Sequence, residues 1–337
     1  MCFIAALLFA FTATFSEFGL PSSQTPALIT SGPAGSAYFA TNSSIDYVTY
    51  SGALASYRPG FRTYFDGYGP GVAIAGDGEI WFMGSIQDSF GIEDLSLGRM
   101  KPGGGFAGIL DGSGVGNFIY DYNSVNFVID AENRAWLSTC GGQCEHGDSI
   151  TALSTNTAPL YAEFDSTYGD WYAVGPDGRI YLTEAGTPGV DEVARVNLTG
   201  HIVQHYALPT ASLNGPEFGD GITHGPDGNM WLVESAKNTI ARIKLSDGAV
   251  TQFAIPTRSS DSRAISAGGD GELWFTEHGS NKLGRISTNG IITEIPMPHG
   301  RSGPLGITAC TGVPFAYGHG CMWVTEQTAH RVARVNF

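Results

Sequence analysis

Acidic residues recur at matching places along the sequence. Four glutamates each close a short segment that runs aromatic-x-x-Glu: Glu184, Glu234, Glu277 and Glu326. Three charged residues, Asp170, Asp220 and Arg263, each stand just before the apolar segment that precedes one of these glutamates. Carboxylates gathered on one rim attract a hard cation such as Mg²⁺ or Ca²⁺, or a basic ligand. The spacing therefore predicts an acidic site.

These positions give three sets of candidate residues. The predicted ligand-binding set is Asp170, Asp220, Asp261 and Arg263, and the predicted metal-binding set is Asp220, Glu234, Glu277 and Glu326. The candidate catalytic residues are Glu326, Arg263 and His278, the last because an imidazole beside Glu277 suits a general base or a metal ligand. Asp220 and Arg263 are the stronger site candidates because these positions vary between the repeats.

A structural interpretation of the same residues stays open. A glutamate repeated in four units can bond backbone N–H groups of the next unit, whereas an active site needs each group once. Arg263 can equally form a plain salt bridge, and His278 can be an ordinary surface histidine.

The segments that carry these residues are copies of one repeat. Its clearest copies begin at Gly221, with GITHGPDGNMWLVE, and at Ala264, with AISAGGDGELWFTE. Each copy contains four short apolar runs separated by turn residues, which predicts four antiparallel strands. In such a unit the second strand returns to the rim where the first begins, so the residue before strand one lies near the closing glutamate.

An aromatic anchor marks the second strand of every copy. It occurs seven times, as Tyr38, Trp81, Trp136, Tyr181, Trp231, Trp274 and Trp323. Four-stranded units repeated at this interval are typical of a β-propeller, in which each blade buries both faces against its neighbours. Asp-Gly pairs follow the first strand and supply the positive φ of a tight turn, at Gly78, Gly178, Gly228 and Gly271. We expect an all-β, seven-bladed β-propeller of four-stranded antiparallel blades.

The motifs GITxGPDGxxWxxE, NxIxRI and ITEFxLP resemble the repeat of the virginiamycin B lyase, or streptogramin lyase, family. The resemblance extends over nearly the whole chain and is clearest from Tyr181 to Phe337. It implies a seven-bladed propeller and Mg²⁺-assisted elimination that opens a cyclic depsipeptide antibiotic. The resemblance also implies the residues that carry this chemistry in the family. They are a substrate-contacting histidine in the sixth blade, and a metal-binding glutamate and a general-base histidine in the seventh.

The sequence departs from that family pattern at the residues that carry the chemistry. Arg263 stands at the sixth-blade histidine, while Gly303 and Leu305 stand at the seventh-blade glutamate and histidine. Leucine cannot abstract a proton and glycine has no side-chain ligand. Glu326 matches the further glutamate that ends the second strand of the seventh blade.

Two functions follow from this mixture of match and departure. The first is a secreted binding propeller that lacks the standard lyase residues and holds a small molecule, peptide or glycan at the channel mouth. The alternative is a divalent-metal-dependent lyase or lactone-opening enzyme, a streptogramin lyase-like or lactonase activity with a relocated site. Fold alone does not choose between them.

The N-terminus and the cysteines predict export. Residues 1–14 lie within an uncharged apolar run that is typical of a signal peptide, which leaves residues 15–337 as one propeller domain.

Without Cys2, four cysteines remain in two close pairs, and we expect disulfides within Cys140/Cys144 and Cys310/Cys321. A zinc site with His146, His319 or His330 is the competing interpretation, although the spacing is not that of a zinc finger.

Composition excludes several partners. The formal net charge is −15, and the four lysines are spread thinly, so no basic patch for nucleic acid is expected. No apolar run is long enough to span a bilayer as a helix. We expect a secreted or periplasmic monomer.

Overall fold

The structure is a computed structural model that describes residues 13–58, 71–87, 93–110, 126–139, 149–154, 160–163, 169–184, 191–209, 213, 221–314 and 320–337. Asp220, Cys140, Cys144 and most of the N-terminal apolar run therefore lie outside the described residues. The side chain of Asp170 is likewise not described.

The described strands form seven four-stranded antiparallel sheets, the blades. Blade 1 contains β2 (Pro26–Ser31), β3 (Ala37–Thr41), β4 (Ile45–Val48) and β5 (Leu54–Tyr57), with a 3₁₀ turn at Pro33–Gly35. Blade 2 contains β6 (Val72–Ile74), β7 (Ile80–Gln87), β8 (Glu93–Met100) and β9 (Phe106–Leu110). Blade 3 contains β10 (Val128–Ile129), β11 (Ala135–Thr139), β12 (Ser149–Leu153) and β13 (Leu160–Glu163).

The second half of the chain repeats this order in more regular blades. Blade 4 contains β14 (Gly169–Val174), β15 (Ile180–Glu184), β16 (Glu192–Val196) and β17 (Ile202–Ala207). Blade 5 contains β18 (Ile222–His224), β19 (Met230–Glu234), β20 (Thr239–Ile243) and β21 (Val250–Ala254). Blade 6 contains β22 (Ser262–Ala267), β23 (Leu273–Glu277), β24 (Lys282–Ile286) and β25 (Ile292–Pro296).

Blade 7 is built from both ends of the chain. Its first three strands are β26 (Pro304–Ala309), β27 (Cys321–Glu326) and β28 (Arg331–Asn336), and its outer strand is the N-terminal β1 (Thr14–Gly19). The first strands of successive blades contact each other all the way round, from β2 through β26 and back to β2. The predicted seven-bladed propeller is therefore confirmed, and its ring is closed by a strand from the opposite end of the chain.

The seven predicted aromatic anchors all lie on the second strands and are all buried. The apolar core is divided between blades: one cluster joins Trp231 of blade 5 to Phe275 of blade 6, and another joins Trp274 to Val324 of blade 7. Each anchor thus buries apolar area against the neighbouring blade, which is the dominant favourable contribution to such packing.

In blade 6, polar contacts fix the aromatic anchor Trp274 in its blade. In blade 6 the carboxylate of Asp270, from the Asp-Gly turn, accepts a hydrogen bond from the Trp274 indole at 3.3 Å. It also accepts one from Arg285 Nε at 2.9 Å, while the Arg285 guanidinium lies 5.8 Å from the centre of the Trp274 ring. The Asp-Gly turn and the repeated I-x-R-I segment are therefore explained by one structural contact, and Gly271 adopts φ +80° as predicted.

Buried threonines connect neighbouring blades at the rim where the first strands begin. Thr325 Oγ1 accepts a hydrogen bond from Gly306 N at 2.8 Å and donates to Ala27 O of blade 1 at 2.7 Å. Thr276 makes the same bridge between Ala264 N and Leu305 O, at 3.1 and 2.9 Å. These bridges fix the backbone at the rim where the candidate site residues lie.

Candidate functional site

Blades 6 and 7 present the same backbone scaffold at this rim. Ser262 pairs with Glu277 in blade 6, as Pro304 pairs with Glu326 in blade 7, and a register shift follows each of the two pairs. Backbone bonds repeat as well: His278 N donates to Asp261 O at 3.1 Å, and Gln327 N donates to Gly303 O at 2.9 Å. The predicted proximity of the residue before strand one to the closing glutamate is confirmed by this register.

Blade 6 carries a charged cluster on that scaffold. Arg263 Nη2 lies 2.6 Å from Asp261 Oδ1 and 2.7 Å from Asp261 Oδ2. His278 Nδ1 lies 3.3 Å from Asp261 Oδ2. We call Asp261, Arg263 and His278 the blade-6 cluster. The structure thus brings together three of the residues that were predicted separately as catalytic or ligand-binding.

The blade-6 cluster depends on an unusual backbone conformation. Asp261 has φ +51°, in the left-handed region that aspartate tolerates better than most residues. Gly279 packs directly against it, since a Cβ on Gly279 would lie 2.8 Å from Asp261 Cβ. A larger residue at Gly279 would displace the carboxylate from its two cationic neighbours.

Exposure differs within the blade-6 cluster. The Arg263 side chain is 7% exposed and that of Asp261 is 37% exposed. Burial raises the pKa of Asp261, but hydrogen bonds from His278 and Arg263 outweigh it and hold that pKa below its usual range. The cluster therefore offers solvent a carboxylate that is ionised at neutral pH and bonded to a buried guanidinium.

His278 turns one ring nitrogen towards Asp261 and buries the other. Its Nε2 has no hydrogen-bond partner among the described residues. A carboxylate on Nδ1 fixes the tautomer that leaves Nε2 able to accept a proton. The Asp261–His278 pair thus has the arrangement of a carboxylate-oriented base.

The four repeated glutamates are buried rather than displayed on the rim. Glu234 accepts hydrogen bonds from Thr239 Oγ1 at 2.5 Å and from Gln252 Nε2 at 2.8 and 2.7 Å. Its partners lie on β20 and β21 of its own blade. The structural role predicted as the alternative is therefore visible for Glu234, with side chains of its own blade as the donors.

Glu277 and Glu326 are less well satisfied. Glu277 Oε2 accepts from Ser280 Oγ at 2.8 Å, while its Oε1 is buried and has no partner in the described part of the chain. Burial raises the pKa of Glu277 to about 7, with a further contribution from the charge of Glu294. Glu277 is not part of the blade-6 cluster. The imidazole of His278, which follows it in sequence, bonds to Asp261 instead.

Glu326 lies beside a second carboxylate that the sequence did not single out. Neither oxygen of Glu326 makes a hydrogen bond of good geometry to a described residue. Burial raises its pKa to about 7, and the charge of Glu17, on β1, adds to the effect. Glu17 Oε2 in turn lies 2.7 Å from His299 Nε2. The two acids come together only because β1 completes blade 7.

The predicted metal set is not gathered at one point. Within the described residues, the three-residue group whose ligand atoms lie within 4.8 Å of one another is Glu184, Glu192 and His205 in blade 4. Glu234, Glu277 and Glu326 instead occupy equivalent places in three successive blades. Metal binding by Asp220, Glu234, Glu277 and Glu326 stays a prediction.

Sequence reasoning missed Glu17, Glu192 and His205. An available signal was the alignment of the outer strands, in which Glu17, His205, Gln252 and Glu294 occupy one position. That signal requires the register of the second, third and fourth strands, which the repeat pattern alone does not give.

The family model of the virginiamycin B lyase family matches residues 146–313. The chain is a virginiamycin B lyase-like seven-bladed β-propeller. Among curated proteins, none matches it.

Solved structures agree with this virginiamycin B lyase-like fold. Virginiamycin B lyase from Staphylococcus aureus is 24% identical, with a TM-score of 0.74 over 97% of this chain and 100% of that one. A catalytically inactive variant of that enzyme with quinupristin is 23% identical, with the same TM-score and coverage. A streptogramin B lyase is 24% identical, with a TM-score of 0.74 over 96% of this chain and 97% of that one. At these identities the likeness establishes the fold.

One predicted disulfide is present in this virginiamycin B lyase-like chain. Cys310 and Cys321 are bonded, with their Cα atoms 5.3 Å apart, at the junction of β26 and β27. The predicted Cys140/Cys144 pair lies outside the described residues. No helix in the described ranges has the length and apolar character needed to cross a membrane.

Proposed function

We propose that this virginiamycin B lyase-like propeller binds a small peptide-like or other polar ligand at the blade-6 cluster and does not open it by the family's elimination. The cluster suits binding because a buried guanidinium supports a half-exposed carboxylate. Such a pair offers a ligand one fixed acceptor and, beside it, hydrogen-bond donors.

The observation that carries the proposal is Leu305. By the resemblance, this position belongs to the family's base, yet it holds a leucine that is 2% exposed and whose side chain cannot accept a proton. Gly303, at the position of the metal-binding glutamate, adopts φ +61°, and a Cβ there would clash with Thr328. These two positions do not fit the family's Mg²⁺ site, so we derive no step through a metal there.

The test uses quinupristin, the compound present with the inactive lyase variant. Full-length protein is titrated with quinupristin by calorimetry and, separately, incubated with it and Mg²⁺ before mass spectrometry. Saturable binding without a linear product supports the proposal. Protein-dependent appearance of the linear product overturns the non-catalytic part, and absence of saturable binding overturns the ligand class.

A second candidate function is an enzyme with a relocated base, either a lyase or a lactone-opening enzyme. The observation that favours it is the Asp261–His278 pair, with Nδ1 3.3 Å from the carboxylate and Nε2 without a described partner. In that case His278→Gln would abolish product formation, whereas Glu234→Gln in blade 5 would preserve it. Product formation that survives His278→Gln would remove the histidine from the reaction.

We propose that, among the predicted carboxylates, Glu326 is a better candidate ligand for Mg²⁺ or Ca²⁺ than Glu234. Glu234 already accepts three hydrogen bonds, whereas Glu326 retains two buried oxygens with no well-formed bond to a described residue. A thermal-shift titration with each cation should therefore respond to Glu326→Gln more than to Glu234→Gln. Equal responses would argue against Glu326 as a ligand.

We also propose that the protein acts outside the cytoplasm. The Cys310–Cys321 bond supports this location, because such cross-links persist in oxidising compartments. N-terminal sequencing of the exported protein should place its first residue near residue 15. Recovery of the protein only from the cytoplasm, with its N-terminal run intact, would contradict the proposal.

A further inference from the structure

Blade 4 contains a group of potential metal ligands that is separate from the blade-6 cluster. Glu184 ends β15, Glu192 opens β16 directly opposite it, and His205 lies on β17. Each offers one ligand atom, and these atoms all lie within 4.8 Å of one another. His205 Nδ1 is 2.8 Å from Glu192 Oε1 and 3.9 Å from Glu184 Oε2.

The same three places in other blades show how the buried glutamate is normally accommodated. In blade 5 they hold Glu234, Thr239 and Gln252, and both neighbours donate hydrogen bonds to the carboxylate. No second charge is present among those three residues. A single buried acid is therefore satisfied by neutral donors.

Blades 6 and 7 each carry two acids at these places, together with one positively charged side chain. In blade 6, Lys282 opens the third strand, opposite Glu277, and its Nζ lies 2.7 Å from Glu294. In blade 7, Arg331 opens the third strand, opposite Glu326, and lies 3.5 Å from Glu17. The position between two acids is thus taken by lysine or arginine in both blades.

Blade 4 also has two acids, but the second one, Glu192, occupies the third-strand position that holds the cation elsewhere. His205 Nδ1 faces both carboxylates, at 2.8 Å from Glu192 and 3.9 Å from Glu184. One Nδ1–H can donate fully to a single carboxylate, and it lies closer to Glu192. A divalent cation held by Glu184, Glu192 and His205 would supply the positive charge that Lys282 and Arg331 supply in blades 6 and 7.

We propose that Glu184, Glu192 and His205 bind a divalent transition-metal ion of the Zn²⁺ class. Two carboxylate oxygens and one imidazole nitrogen suit such an ion better than Mg²⁺ or Ca²⁺, which prefer oxygen ligands alone. Zinc bonds of about 2.0–2.2 Å place neighbouring ligand atoms about 3.3 Å apart in a tetrahedron. The two distances from Nδ1 lie on either side of that value, so small side-chain rotations suffice.

The blade-4 site is open to solvent on one side. His205 is half exposed and Glu192 is one-fifth exposed, while Glu184 forms the buried wall. An ion can therefore enter from solution and keep water in its remaining positions. The inference does not depend on ligand binding at the blade-6 cluster, which lies two blades away.

The experiment uses the full chain after removal of metal by chelator dialysis. Zn²⁺ is titrated by calorimetry, and Co²⁺ is titrated in parallel for its visible absorption. We expect one binding event, weakened at least tenfold in both His205→Gln and Glu192→Gln. The matched control is Gln252→Ala, which removes the equivalent residue of blade 5 and should leave the titration unchanged.

Three results would overturn the proposal. They are absence of Zn²⁺ binding, an isotherm that neither variant changes, and Mg²⁺ binding at least as tight as Zn²⁺ binding. His205 and Glu192 are partly exposed, so both variants should fold, and circular dichroism with thermal unfolding checks that they do.

Discussion

Arg263 of blade 6 and Leu305 of blade 7 occupy the same place in two successive blades. Each follows the residue that pairs with the closing glutamate, and each is buried at the start of the register shift. One side chain is a guanidinium bonded to Asp261, and the other is apolar and lies two residues after Gly303, a glycine in the left-handed region. The scaffold is thus constant while the chemistry at this place changes, which is what a site built on a repeat requires.

Replacing Arg263 with leucine should separate ligand binding from stability. The backbone scaffold accepts leucine in blade 7, and Asp261 is exposed enough to regain water. Because Arg263 is buried and bonded to Asp261, we expect the unfolding free energy to fall by about 1–3 kcal/mol, with quinupristin affinity reduced at least tenfold. Calorimetry and urea unfolding measure the two effects.

The control for this variant is Arg242→Leu, which removes an arginine from the far end of blade 5. That residue stacks on Trp231 and Phe253, so its loss should affect stability and leave quinupristin affinity unchanged. Equal affinity in wild type and Arg263→Leu would remove Arg263 from the binding site.

Much of the fold was predictable from the sequence because the repeat is local. The anchors, the Asp-Gly turns and the proximity of Ser262 to Glu277 all follow from hairpins between consecutive strands. The pairing of Asp261 with His278 was not predicted, since it depends on a left-handed backbone at residue 261 and on the absence of a side chain at Gly279.

The repeated glutamates show more clearly what the sequence pattern does not predict. Their recurrence predicted equivalent places in successive blades, which the register confirms, but their burial depends on partners from the third and fourth strands. Glu17 is the extreme case, because its neighbour Glu326 lies at the other end of the chain. Only ring closure brings these two carboxylates together.

Glu277 should make stability depend on pH. Burial raises its pKa from 4.5 to about 7, so the folded chain holds this proton more tightly than the unfolded chain. Its contribution to unfolding free energy is fully present below pH 4.5 and is lost as the pH rises to about 7. Glu277→Gln should therefore be more stable than wild type at pH 8, by at most roughly 3 kcal/mol, and similar to it at pH 4.5.

Urea unfolding at several pH values measures this difference. The matched control is Glu234→Gln, which should destabilise the protein at pH 8, because the Glu234 carboxylate accepts three hydrogen bonds. If the unfolding free energy of Glu277→Gln varied with pH in parallel with that of wild type, Glu277 would not be the group with the raised pKa.

Glu17→Gln should lower the raised pKa of Glu326. Burial is the larger cause of the raised pKa of Glu326, and the charge of Glu17 adds to it. Removing that charge should move the titration midpoint from about 7 towards 4.5 without reaching it. Carboxyl ¹³C shifts followed by NMR give the midpoint directly.

The equivalent change in blade 6 provides the control for this titration. Glu294→Gln should lower the midpoint of Glu277, which feels the charge of Glu294, and leave that of Glu326 in place. An unchanged Glu326 midpoint in Glu17→Gln would show that the two acids are not coupled.

Thr325→Val should weaken the closure between blades 7 and 1. The change removes the hydroxyl that accepts from Gly306 N and donates to Ala27 O, leaving both backbone groups buried without that partner. Each unsatisfied group costs about 1–3 kcal/mol, so a loss of that order is expected. Thr251→Val, at an exposed place on β21, changes the same atoms without a buried bridge and should alter urea unfolding little. A Thr325→Val chain as stable as Thr251→Val would mean that ring closure rests on apolar packing and β1 alone.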